Sequence, residues 1–212
     1  MDVTQDKIVE EHDSTQHYEV LQELGDCHTS VGNVEEAQRC YEKAAVLGPD
    51  EPGPYVGLGV IALQQNLLDD AEIAFRVACR LNTGCAKAYA GLAMVAQQRA
   101  DYKSAFDLYL KCLELDTDNP AALLGLFQTS CQMGSFAKII YYLELYLNMH
   151  PGDTSVMFSL AALYMKDGRL EQSKKILLDV LTLESANKDA ANLLEEVEHS
   201  LAQSRLAEVQ TV

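Results

Sequence analysis

Apolar and small positions recur along the chain with a period of 34 residues. Leu24, Leu58, Leu92, Leu126, Leu160 and Leu194 stand 34 apart at every step, and the residues after them are Gly25, Gly59, Ala93, Phe127, Ala161 and Glu195. Thirteen residues after the first five leucines come Ala37, Ala71, Ala105, Ile139 and Ser173. Four further on come Tyr41, Phe75, Tyr109, Leu143 and Leu177, and three beyond those Ala44, Ala78, Cys112, Tyr146 and Val180. Offsets of three and four place these residues on one helix face. Their order is small, large, small, which describes a knob flanked by hollows.

Breaker residues divide each period into two helices. Gly32, Asn66, Gly134 and Gly168 follow their leucines by eight residues. Such residues take the left-handed conformation that ends a helix. The third period has Ala100 there, followed by Asp101. Pro49, Pro120 and Pro151 lie between periods, where a proline stops a helix or opens its first turn.

The run GNVEEAQRCYEKAAVLGPD at 32–50 resembles the second half of a tetratricopeptide repeat, with Gly32, Ala37, Tyr41, Ala44 and Pro49 at that family's spacing. The resemblance covers residues 18–187 as five repeats, 18–51, 52–85, 86–119, 120–153 and 154–187. It implies an all-α fold, a right-handed superhelical solenoid of helix-turn-helix repeats with about eleven helices, two per repeat plus a cap. Residues 1–17 read as an acidic N-terminal tail with room for partial helix, 188–208 as a C-terminal capping helix and 209–212 as a tail. In the cap, Leu194, Val197 and Leu201 face inward and Glu195, Glu196, Glu198 and Gln203 face water, the polar backing that a repeat array needs. The family's tryptophan is replaced by Leu21, Tyr55, Tyr89, Leu123 and Met157. The fourth repeat departs most, with Phe127, Ile139 and Tyr146 where small residues are usual.

Charge narrows the partners. The net charge is −16, and residues 1–70 hold 15 acidic against 3 basic side chains. An acidic surface repels nucleic acid and anionic membranes. No stretch approaches the ~20 apolar residues of a membrane span, and the N-terminus lacks the basic start and apolar run of a secretory signal. These features point to a soluble, cytoplasmic protein. Cys27, Cys40, Cys79, Cys85, Cys112 and Cys131 form no close pairs and read as reduced apolar fillers. The histidines are scattered, and no metal motif, nucleophile elbow or phosphate loop occurs. The expectation is a protein with no enzymatic activity, no cofactor and no metal.

The resemblance also implies where a partner would sit. In the family the first helix of each hairpin lines a concave surface. Carried over, the groove residues are Val56, Val60 and Leu63 in the second repeat, and Lys87, Ala90, Met94 and Gln97 in the third. Leu124 and Gln128 follow in the fourth, and Phe158, Ala162 and Met165 in the fifth. Gly57, Gly91 and Gly125 share one position, where a ligand backbone could approach closely. The first repeat offers a polar set instead: Glu19, Gln22, Glu23, Asp26, Thr29 and Ser30. Chaperone-binding members grip a peptide carboxylate with Lys and Asn; Gln22 and Asp26 occupy the matching places, so that clamp is missing. An exposed apolar patch marks a binding site. Its occupant is a segment of another protein or one of the chain's own tails, 1–17 with Ile8 and Val9, or 205–212; the remaining alternative is a shallow surface that holds nothing. On the convex side Tyr141, Tyr142, Leu145, Ile73 and Val77 are candidates for a contact between copies. The reading is a protein–protein interaction scaffold or adaptor that binds an apolar extended or helical segment. The alternatives are a self-associating building block (a homo-oligomer) and an acidic secretion-type chaperone.

Overall fold

A computed structural model describes residues 3–210, with side chains placed for 17–204. Among the described residues there are eleven α-helices and no strand. They are α1 (Val3–Ser30), α2 (Val34–Leu47), α3 (Pro52–Gln64), α4 (Leu68–Leu81), α5 (Ala86–Gln98), α6 (Tyr102–Leu115), α7 (Pro120–Met133), α8 (Ala137–Met149), α9 (Thr154–Lys166), α10 (Leu170–Leu183) and α11 (Lys188–Gln210). The chain divides into two compact units, Met1–Thr129 and Ser130–Val212, and the division falls inside α7.

The helix ends follow from the breakers. Gly32, Asn66, Ala100, Gly134 and Gly168 all have positive φ, between 60° and 78°. The next residue then donates its N–H to the carbonyl five residues back: Asn33 to His28, Leu67 to Ala62, Asp101 to Ala96, Ser135 to Ser130 and Arg169 to Tyr164, at 2.8–3.1 Å. This is the Schellman ending, which satisfies a carbonyl that the helix leaves orphaned. Ala100 performs it with a Cβ in place, at a cost of about 1–2 kcal/mol. Side chains cap several starts. The Asp101 carboxylate accepts from Ser104 N–H, Asn119 from Ala122, Asp153 from Val156 and Asn187 from Ala190, all at 3.0–3.1 Å.

Each unit has its own core. In the N-terminal unit Ala37, Tyr41 and Ile61 form one cluster, and Ala62, Ala71, Phe75 and Val95 another. In the C-terminal unit Met157, Ala161, Leu177, Val180, Ala190 and Val197 cluster. Val197 is buried, Leu194 and Leu201 pack against that cluster, and Glu195, Glu196, Glu198 and Gln203 are exposed. Tyr142 departs from its expected place on the convex side and is buried. It lies three residues after Ile139 and beside Leu143, on the face that α8 turns inward. Tyr141 and Ile73 are exposed, whereas Leu145 and Val77 are half-buried.

Candidate binding groove

The floor of the candidate site is set by the knobs. Tyr41, Phe75 and Tyr109 are each at most 2% exposed. The rings of Tyr41 and Phe75 each lie against glycines of two neighbouring helices, and that of Tyr109 against one. A Cβ on Gly25 or Gly57 would lie 2.6 or 2.4 Å from the Tyr41 ring; on Gly59 or Gly91 it would lie 2.7 or 2.4 Å from Phe75. On Gly125 it would lie 2.0 Å from Tyr109. The expectation that Gly57, Gly91 and Gly125 admit a ligand backbone is therefore corrected. Aromatic rings of the chain itself fill the space where their side chains would be.

Above those rings, the first helices of the N-terminal unit leave three successive concavities. The first, about 420 Å³, is lined by residues that include Gln22, Asp26, Thr29, Ser30, Val56, Val60 and Lys87. The second, about 400 Å³, shares Val56, Val60 and Lys87 with it and adds Leu63, Phe75, Ala90, Met94 and Asn119. The third, about 430 Å³, shares Leu63 and Met94 with the second and adds Gln97, Tyr109, Leu124 and Gln128. Shared walls make the three one trough along α1, α3, α5 and the start of α7.

Some of its polar groups are held by the two tyrosine knobs. The Tyr41 hydroxyl donates to Asp26 Oδ1 at 2.6 Å and lies 3.1 Å from Thr29 Oγ, which itself donates to the Gly25 carbonyl. The Tyr109 hydroxyl donates to Gln97 Oε1 at 2.7 Å, and Gln97 Nε2 donates to Gln128 Oε1 at 2.7 Å. Burial pushes the Tyr109 hydroxyl up to about 12. It raises Tyr41 further, helped by the hydrogen bond to Asp26. Both phenols are donors at neutral pH and fix the orientation of the groups above them.

Val56, Val60, Leu63, Lys87, Ala90, Met94, Gln97, Leu124 and Gln128 all line this trough. Ala90 is nearly closed off at 6% exposed, and Leu124 is open at 59%. Phe158, Ala162 and Met165 belong to the C-terminal unit and are half-buried. Phe158 and Met165 pack against the Met157–Val197 cluster of that unit. Sequence reasoning missed Tyr41, Phe75, Tyr109 and Asn119 as lining residues. The first three were legible as core knobs, but not as rings whose edges reach the trough.

Six free cysteines are present, with Cys40 and Cys112 buried. Burial raises the Cys79 thiol to about 11 and Cys112 to about 12, so neither is a ready nucleophile at neutral pH. Among the described residues no group of three or more His, Cys, Asp or Glu is placed to hold a metal ion, and no helix is long and apolar enough to cross a membrane.

Tetratricopeptide repeats match residues 24–84, and again 86–119 and 154–187, together more than half of the chain. The chain belongs to the tetratricopeptide repeat family. Human tetratricopeptide repeat protein 7A is 30% identical over 89 residues, covering 42% of this chain. The chain spans 10% of that relative's length. Among solved structures, Pseudomonas aeruginosa pilF superposes with a TM-score of 0.66 at 18% identity, covering 92% of this chain and 99% of its own. The first tetratricopeptide domain of Spaghetti (RPAP3), bound to the HSP90 peptide SRMEEVD, gives a TM-score of 0.52 at 26% identity, covering 57% of this chain and 95% of its own. Tetratricopeptide repeats are protein–protein interaction scaffolds and as a family are generally non-catalytic.

Proposed function

We propose that this tetratricopeptide protein is an adaptor whose N-terminal trough holds an apolar extended or helical segment of another protein. The observation that carries the reading is the continuity of the trough. Val56, Val60, Leu63, Met94 and Leu124 line three concavities that share walls and open to solvent. Pockets of a few hundred Å³ with apolar walls and a few oriented polar groups are where ligands bind. Met94 adds a floor that adapts to differing side chains. The Spaghetti domain, bound to its peptide, supports segment binding as a use of this fold. The reading includes a cytoplasmic setting and no catalytic role. It disfavours nucleic acid as a partner, because the net charge is −16.

The test is a pair of double variants titrated with a partner captured by the wild type. Met94→Gln with Leu124→Gln makes the trough polar with little change of shape. Ile73→Gln with Tyr141→Gln alters exposed apolar residues elsewhere. The first pair is expected to weaken binding tenfold or more, about 1.4 kcal/mol, and the second to leave it unchanged. The opposite pattern would move the site to the surfaces around Ile73 and Tyr141. Loss of a homo-oligomer in the second pair would favour the self-associating reading.

A further inference from the structure

We infer that the segment held in the trough carries lysine or arginine at its α1 end, next to its apolar residues. The inference rests on the binding reading above and names the partner's chemistry. Gln22, Asp26, Thr29 and Ser30 of α1 line the first concavity. Helical spacing puts Glu19 and Glu23 on that same face of α1, one turn from Gln22 and Asp26. All three carboxylates, Glu19, Glu23 and Asp26, are exposed. Asp26 is held in place by the Tyr41 hydroxyl at 2.6 Å, and a carboxylate has acceptor capacity beyond one such bond.

No lysine or arginine occurs in the sequence between Lys7 and Arg39, and Arg39 is paired with Glu36 at 2.6 Å. Among the residues that line the three concavities, Lys87 is the one basic side chain. It stands at the wall between the first and second concavities, so the α1 face keeps a negative excess. At physiological salt, exposed charges act over about 8 Å. A cationic side chain seated in the first concavity meets the Asp26 carboxylate in its wall, with Glu19 and Glu23 on the adjoining turns of the same helix. An acidic segment would meet repulsion there. The apolar walls of the second concavity, Val56, Val60, Leu63 and Met94, require apolar residues beside the cation.

Random peptides displayed on phage and selected on the immobilised full chain test this. The same selection runs on Asp26→Asn/Glu23→Gln and on Met94→Gln/Leu124→Gln, each first shown to melt near the wild type. Asp26→Asn keeps an amide oxygen for the Tyr41 hydroxyl while removing the charge. The wild type is expected to enrich peptides with a basic residue beside apolar ones. The carboxylate variant is expected to lose the basic excess and keep the apolar one. A selected basic peptide should bind the carboxylate variant about fivefold more weakly, and Lys87→Gln more tightly than the wild type. Peptides that depend on Met94 and Leu124 yet show no basic excess, or whose excess survives Asp26→Asn/Glu23→Gln, overturn the charge inference and leave the binding reading standing. No enrichment, or peptides indifferent to Met94→Gln/Leu124→Gln, overturns both.

Discussion

In the N-terminal unit the knobs of the second helices are aromatic, Tyr41, Phe75 and Tyr109, and glycines make room for them. In the C-terminal unit the same register holds Leu143 and Leu177, which are also buried. There the positions equivalent to Gly57, Gly91 and Gly125 carry Ser159 and Leu193. Knob and hollow thus exchange volume: a large ring goes with a missing side chain, and a smaller leucine with a present one. The lesson is that one backbone plan tolerates either filling as long as the pair is matched, since interiors are close-packed. The exchange also has a chemical consequence. A tyrosine knob carries a hydroxyl that reaches Asp26 or Gln97, and a leucine carries none. The polar anchors under the trough therefore exist only where the knobs are tyrosine.

The largest effect should come from mismatching one pair. Gly91→Ala puts a Cβ 2.4 Å from the buried Phe75 ring. Overpacking of about 1–3 kcal/mol should outweigh the ~0.5–1 kcal/mol that alanine gains in a helix. Phe75→Leu alone should cost on the order of 1–2 kcal/mol by leaving unfilled volume. The double variant pairs a leucine knob with a side chain at the glycine position, as the C-terminal unit does, so its loss should be smaller than the sum, with coupling of at least about 0.5 kcal/mol. Denaturant melts of the four proteins measure this. Strict additivity would mean that ring and glycine are not a matched pair.

A helix ending gives a second contrast. Ala100 in the N-terminal unit and Gly168 in the C-terminal unit close equivalent helices at φ 60° and 78°. Ala100→Gly should stabilise by about 1 kcal/mol, because a left-handed alanine is strained. Gly168→Ala should destabilise by a similar amount. Opposite shifts of the melting temperature are the expected result. Shifts of the same sign would show that conformation does not decide these two ends.

Alkaline pH should produce a smaller effect. An unfolded tyrosine ionises near pH 10, whereas Tyr109 in the folded chain ionises at about 12. Above the first value the folded state binds more protons than the unfolded, so stability falls as pH rises. Its contribution is complete below pH 10 and is lost as pH climbs through about 12. Tyr109→Phe should flatten this decline, as followed by helical ellipticity. An unchanged slope would contradict the burial of that hydroxyl.

Much of this was legible in the sequence. The 34-residue period led to an expectation of about eleven helices, and the described residues form eleven; the breaker position was sound even at Ala100, where no glycine or asparagine marked it. Residue type alone did not give the cause of a feature. The glycines at 57, 91 and 125 were visible as a repeat, but a ring from another helix explains them. Periodicity does not say which ring arrives. Tyr141 and Tyr142 show the same limit on one helix. Adjacent residues point about 100° apart, so a small error in the placement of a face moves one of them from surface to core. Leu24 shares its register with Leu126 and Leu160, yet it is 45% exposed while they are at most 2%. Its own position in the repeat carries no information about which helices pack on it.

Photo-crosslinking tests the central claim, segment binding in the N-terminal trough, most directly. A photoreactive phenylalanine analogue is placed in turn at Leu124 in the trough and at the exposed Ile73 and Tyr141. Each protein is irradiated with the captured partner, and the crosslinked peptides are identified by mass spectrometry. The account predicts that Leu124 joins to one short apolar segment of the partner and that Ile73 and Tyr141 do not. Crosslinks at Ile73 or Tyr141 with none at Leu124 would contradict it.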